Sequence, residues 1–168
     1  MSTTELYVVG ENYCNQIGET ENAWRGAMYI WDDIAKRYFN LKCFPIESDM
    51  RMRIWNAHSE HDLSEAEKIV LLSTMDRVLV SQKDLPRLIY AFREYGASHE
   101  NSSLNAQADI IENTEIESEH KVGWNQTSVN GFHFAPDYDE ELDEYIYDDL
   151  SSGWDLFAQL DASEDMSE

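Results

Sequence analysis

The sequence predicts an α+β fold: a helix-rich single domain with a small β-sheet or hairpin and an acidic C-terminal helical region. Apolar residues recur at helical spacing in several segments, whereas two short segments carry strand signals. The 168 residues, 42% of them hydrophobic, are enough to bury one core.

The N-terminal part of the chain predicts one strand and two helices. The β-prone run Leu6-Tyr7-Val8-Val9, closed by Gly10, indicates a strand. Residues 21–39 carry an apolar stripe at i, i+3, i+4 and i+7, which predicts an amphipathic helix. The stripe consists of Trp24, Ala27, Met28, Trp31, Ile34, Ala35 and Tyr38. After a break at Pro45, a shorter helix is expected from Met50 to His58.

A further helix is expected to begin after Ser64. Ser64 followed by Glu67 has the form of a capping box, in which each side chain accepts a backbone N–H of the other residue. Residues 77–80 could extend this helix, but their β-branched valines favour a strand.

The next helix has a start signal and a stop signal. Asp84 is expected to cap it, with Pro86 in its first turn and Gly96 just beyond its end. Residues 97–105 are polar and predict a loop, after which Asn105 could cap a short helix.

The C-terminal third begins with a hairpin signal. Asn130-Gly131 is a strong turn dipeptide, and it would join strands over 122–129 and 132–134. A short apolar segment with Trp154, Phe157 and Leu160 lies near the end.

Residues 137–150, DYDEELDEYIYDDL, are interpreted as a helix. Leu142, Ile146 and Leu150 fall at i, i+4 and i+8, so they would form a narrow buried seam. On the outer face four acids would form a continuous stripe, namely Asp137, Glu141, Glu144 and Asp148.

Negative charge is concentrated in the last third of the chain. The formal net charge is −22; residues 1–108 hold 16 acidic and 11 basic residues, whereas residues 109–168 hold 18 acidic residues and one basic residue, Lys121. We therefore divide the chain into a mainly helical core with an N-terminal strand (1–108), an acidic hairpin-plus-helix region packed on it (109–160) and a disordered tail (161–168). Such an imbalance repels DNA, RNA and anionic membranes and attracts basic proteins.

The sequence contains no phosphate-binding Gly motif, no G-x-S-x-G and no C-x-x-C, and we expect no enzyme, cofactor or metal. His58 and His61 have H-x-x-H spacing, and a metal-dependent enzyme that uses them is the alternative from a different class. Asp137 begins a calcium-like pattern, but Leu142 stands where the calcium loop needs Gly. Cys14 and Cys43 have no metal spacing and are expected to be reduced thiols of a cytoplasmic protein.

In size, charge and the acidity of residues 109–168, the chain resembles small acidic proteins of phages and plasmids that imitate DNA. Those proteins block restriction, CRISPR or other DNA-binding host proteins. The opening ELYVVGENY, followed by Gly18 and Trp24, is similar to the start of acidic plasmid antirestriction proteins. The resemblance implies a non-enzymatic anti-defence inhibitor and assigns no residue roles.

The predicted partner is therefore a basic, nucleic-acid-binding protein, without direct binding to nucleic acid or membrane. An immunity protein or antitoxin that neutralises a basic toxin remains an alternative, because both would use electrostatic steering. The residues expected to bind the partner are Asp137, Asp139, Glu140, Glu141, Asp143, Glu144, Tyr145, Asp148, Asp149 and Asp155.

Overall fold

The computed structural model describes residues 3–21, 23–40, 48–60, 62–75, 77–99, 102–126, 136–147 and 153–166. Over these residues it confirms the α+β class, with six helices, a five-stranded sheet and a two-stranded sheet. The strands are β1 (Thr3–Gly10), β2 (Tyr13–Glu21), β3 (Val78–Ser81), β4 (Lys121–Gln126), β5 (Asp137–Asp139), β6 (Glu144–Ile146) and β7 (Trp154–Asp155). The helices are α1 (Ala23–Phe39), α2 (Ser48–Glu60), α3 (Glu65–Ser73), α4 (Leu85–Ser98), α5 (Ser102–Glu112) and α6 (Leu156–Met166).

The larger sheet has the strand order β2-β1-β4-β3-β7. β1 pairs antiparallel with β2 and β4, β3 pairs antiparallel with β4, and β3 pairs parallel with β7. β4 thus lies at the centre of the sheet, although it comes from the acidic third of the chain.

The core forms where helices pack on one face of this sheet. Leu6, Val80 and Val122 belong to the same buried cluster as residues of α1 to α5. Phe157 and Leu160 of α6 lie in that cluster as well, with at most 2% of their surface exposed. Described residues between 109 and 160 therefore contribute to the core, and the expected boundary at residue 108 falls inside α5.

Several elements form as their sequence patterns predict. The helix predicted over 21–39 is confirmed as α1, although it begins at Ala23 and Glu21 belongs to β2. The shorter helix is confirmed as α2 and the strand over 77–80 as β3. The capping box is also confirmed: Glu67 N–H donates to Ser64 Oγ at 3.2 Å, and Ser64 N–H donates to the Glu67 carboxylate at 3.1 Å.

The boundaries around α4 differ from those expected. Asp84 ends a 3-10 turn and makes no side-chain capping bond. Gly96 is buried inside α4 instead of lying beyond it, and no described glycine has a positive φ. Because packing offsets the ~1 kcal/mol cost of a helical glycine, α4 continues to Ser98. α5 begins at Ser102, so the predicted loop is shorter and Asn105 lies within the helix.

The C-terminal end also differs. α6 extends to Met166, so residues 161–166 are helical, and the expectation of a disordered tail from 161 was wrong for them. The hairpin turn at Asn130-Gly131 and the break at Pro45 lie outside the described residues. No described helix combines the length and apolar character needed to cross a membrane.

Removing the Ser64 hydroxyl should destabilise the fold through α3. Ser64→Ala leaves the Glu67 N–H without its side-chain acceptor, and such a loss costs about 0.5–2 kcal/mol. The free energy of unfolding, measured by urea titration, should fall by that amount. Ser59→Ala is the matched control, since that exposed hydroxyl donates only to a carbonyl within α2. Equal stability of both variants and the parent would contradict a working capping box.

Candidate functional site

Residues 137–146 form a β-hairpin, not the helix predicted for 137–150. β5 pairs antiparallel with β6, with Tyr138 opposite Tyr145 and Asp139 opposite Glu144. Residues 140–143 form the connecting turn. We call residues 137–146 the acidic hairpin.

Local hydrogen bonds explain why this segment turns. The Asp139 carboxylate accepts the N–H groups of Glu141 and Leu142, at 2.9 and 3.2 Å. Asp143 adopts the left-handed conformation with φ 51°, and its carboxylate accepts the Tyr138 hydroxyl. Short acidic side chains that bind nearby backbone compete with a helix, and like charges four residues apart weaken a helix further.

The predicted apolar seam is not buried. Leu142 is 61% exposed and Ile146 is 49% exposed, while Leu150 lies outside the described residues. The seam interpretation was wrong because its four-residue spacing matches a helix, whereas the chain places Leu142 in a turn and Ile146 in a strand.

The acidic hairpin presents carboxylates and aromatic rings together. Six of its ten residues are acidic, and all ten except Asp139 are exposed, so its carboxylates are hydrated. The rings of Tyr138 and Tyr145 lie 5.3 Å apart at 60°, and both are at least half exposed. The hydrogen bond to Asp143 raises the pKa of the Tyr138 phenol above its ordinary value.

Basic residues of the described chain neutralise other acids. The ion pairs in the described ranges are made by Arg37, Arg87 and Arg93, with partners on α1, α3, α5 and α6. None of these pairs involves the acidic hairpin. Its charge is thus neutralised by no described cation of the chain.

The structure brings most of the predicted site residues together. Asp137, Asp139, Glu140, Glu141, Asp143, Glu144 and Tyr145 all belong to the acidic hairpin. Asp148 and Asp149 lie outside the described residues.

Asp155 lies elsewhere, on β7 of the larger sheet. Its carboxylate accepts the Ser81 hydroxyl at 3.0 Å and the Ala158 N–H at 2.9 Å, which caps the start of α6. Burial, and next the charge of Asp155, raise the pKa of Asp84. The carboxylates of Asp84 and Asp155 therefore repel each other within the folded protein.

The histidines form no site of the predicted kind. His58 is buried, with Nδ1 2.5 Å from the carbonyl of Trp55, and His61 lies outside the described residues. Sequence spacing gave no reason to group His120 with Glu117 and Glu119, but a tight turn brings their ligand atoms within 4.8 Å of one another. Both carboxylates of this group are exposed, so we assign no metal to it.

Truncating a hairpin leucine should barely affect stability. Leu142→Ala removes an exposed side chain and should change the free energy of unfolding by less than about 0.5 kcal/mol. Leu160→Ala, the matched control in the core, should lower it by about 2–5 kcal/mol. Urea titration measures both values. A large loss of unfolding free energy for Leu142→Ala would instead indicate that Leu142 is buried, as the seam interpretation predicted.

Neutralising Asp84 should stabilise the protein at neutral pH. The pKa of Asp84 is higher in the folded protein than in the unfolded chain, so the protonated carboxyl favours folding. This contribution is lost as the pH rises through the folded-state pKa. Asp84→Asn should therefore raise the melting temperature at pH 7, and the gain should shrink toward the ordinary aspartate range near pH ~3.9. Asp62→Asn, which removes the same charge from an exposed side chain, is the control. A gain at pH 7 no larger than in the control would refute the effect.

Comparisons with protein-family models, curated proteins and solved structures found no match. The site is therefore defined by its own geometry. It is an exposed hairpin that carries six carboxylates and a tyrosine pair, and no described basic residue forms an ion pair with those carboxylates.

Proposed function

We propose that this protein is a non-enzymatic inhibitor that mimics DNA and blocks the nucleic-acid-binding surface of a basic host protein. It would act in the cytoplasm as an anti-defence factor of the anti-restriction or anti-CRISPR type. The observation that carries this proposal is the acidic hairpin, with its exposed carboxylates and no described cation beside them. A protein groove that binds phosphates offers the cations that this surface lacks.

Two physical effects support binding by the acidic hairpin. Carboxylates that face water attract a basic protein over a Debye length of about 8–10 Å and so speed encounter. Tyr138 and Tyr145 offer exposed aromatic area, the kind of surface that anchors protein interfaces once it is desolvated. Charge would thus set the association rate and the tyrosines the dissociation rate.

The overall charge supports a protein partner and disfavours nucleic acid itself. A net charge of −22 repels phosphate backbones, and most of the excess acid lies in the part of the chain that contains the acidic hairpin. The hairpin and a DNA strand would therefore compete for the same cations.

Neutralising the acidic hairpin should weaken partner binding more than the same charge change elsewhere. The hairpin variant carries Asp137→Asn, Glu140→Gln, Glu141→Gln and Glu144→Gln; the control carries Glu11→Gln, Glu19→Gln, Glu115→Gln and Glu117→Gln, all at exposed positions. At ~0.2–1 kcal/mol for each exposed charge, the hairpin variant should lose about fourfold or more in affinity. Proteins from a host lysate are first captured on the immobilised parent chain, and those released by duplex DNA are identified. Each of these proteins is then purified and titrated with both variants to measure its affinity.

The mode of release separates the proposal from its alternative. Release by saturating duplex DNA, and tighter binding by the control than by the hairpin variant, support DNA mimicry. A partner that salt releases but DNA does not would instead be bound at another basic surface, as expected for a toxin. Equal binding with and without saturating DNA overturns the proposed function.

A further inference from the structure

The larger sheet of this fold ends in an open edge strand. β2 spans nine residues, Tyr13–Glu21, and pairs with β1 alone among the described strands. Its other edge faces water at Asn15 and Gln16, which are both exposed. An edge of this kind presents main-chain donors and acceptors with which a further strand can pair.

The register of the β1–β2 hairpin shows which main-chain groups point outward. Tyr13 closes a two-residue turn, and from there hydrogen-bonded and non-hydrogen-bonded pairs alternate along the antiparallel ladder. Tyr13 and Asn15 therefore bond to β1, whereas the N–H and C=O of Gln16 point away from it. A bulge at Ile17 then interrupts the ladder, so residues 13–16 form the straight part of the edge next to the turn.

Helix α5 borders this edge on one face of the sheet. Thr20 Oγ1 lies 3.3 Å from Ser103 Oγ of α5. Gly18 lies against Ile110, since a Cβ at Gly18 would be only 2.9 Å from that side chain. Ile17 and Ile110 remain partly exposed. A strand added beside β2 would thus extend the sheet next to α5 and bring its own apolar side chains near these two isoleucines.

The charge around the edge selects its occupant. Residues 3–21 contain four glutamates and no lysine or arginine, so β2 lacks the edge lysine that commonly prevents strand addition. A second copy of this chain would bring the same acidic strand and a net charge of −22, which disfavours self-pairing. A segment that carries lysine or arginine has the complementary charge.

We propose that the open edge of β2 binds an extended, basic segment of a partner protein as an added strand. Main-chain hydrogen bonds to the edge would supply affinity, and alternate side chains of the segment would lie on the two faces of the sheet. Apolar side chains would face α5, whereas basic side chains would stay hydrated on the other face, within a Debye length of the glutamates. The edge is separate from the acidic hairpin, and the inference does not depend on the proposed function.

A short synthetic peptide of alternating lysine and valine tests this proposal. Its matched control has the same sequence and charge, but N-methyl groups replace the main-chain amide protons. The full-length protein is titrated calorimetrically with both peptides at physiological salt. The unmethylated peptide should bind at least about tenfold more tightly, the factor expected for two or more main-chain hydrogen bonds.

A pair of variants at Gln16 locates the binding on β2. Gln16→Pro removes an outward N–H and no hydrogen bond to β1, so the fold should persist. It should weaken binding of the unmethylated peptide by about fivefold or more and leave the methylated peptide unaffected. Gln16→Ala keeps the N–H and should bind both peptides like the parent. Circular dichroism and thermal unfolding check that each variant is folded.

Several outcomes would overturn the inference. Equal affinity for the two peptides would mean attraction by charge alone, and no binding of either would leave the edge without this occupant. Equal binding by Gln16→Pro and Gln16→Ala would place the peptide elsewhere. A parent dimer in sedimentation that Gln16→Pro dissociates would assign the edge to a second copy instead. If Gln16→Pro does not fold, the two peptides on the parent decide alone, and the DNA competition tests the proposed function separately.

Discussion

A carboxylate without a cation beside it keeps its water, since burying an unpaired charge costs several kcal/mol. The described acids of the last third accordingly all lie at exposed or half-buried positions, whether or not a cation pairs with them. Arg93 of α4 pairs with Asp109 and Glu112 of α5, and Arg87 pairs with Asp161 of α6, so arginines of the first two thirds neutralise three of these exposed carboxylates. The acidic hairpin has no such partner among the described residues, and it remains exposed.

The division of the chain by charge does not coincide with a division of its structure. β4 lies between β1 and β3, and Val122 is fully buried there. α6 closes the core with Leu156 and Leu160, also fully buried. The acidic third therefore supplies both the centre of the sheet and an exposed hairpin. The two-residue period of a strand and the three- to four-residue period of a helix let one segment direct apolar groups inward and acids outward.

The sequence predicted the elements whose local pattern and buried face agree. α1 shows a helical stripe over 17 residues, and the Ser64 capping box fixes the start of α3. The hairpin at 137–146 was missed because its turn lacks Gly, Pro and Asn, and Asp143 takes the left-handed position that Asn or Gly usually fills. Of the candidate site, composition predicted which residues carry the charge, but the contact between the Tyr138 and Tyr145 rings depends on strand pairing, which the sequence pattern did not reveal.

A hairpin changes what kind of mimicry the acids can support. A helix over 137–150 would have offered a regular row of charge, whereas three-residue strands at ~3.3 Å per residue span only about 10 Å. DNA presents a phosphate every ~3.4 Å along one strand, so the acidic hairpin covers the axial length of about three phosphates. So short a surface gains little affinity from charge alone in physiological salt. The proposed inhibitor must then be steered to its target by charge and retained by tyrosine contacts, and these would distinguish its partner from other basic proteins.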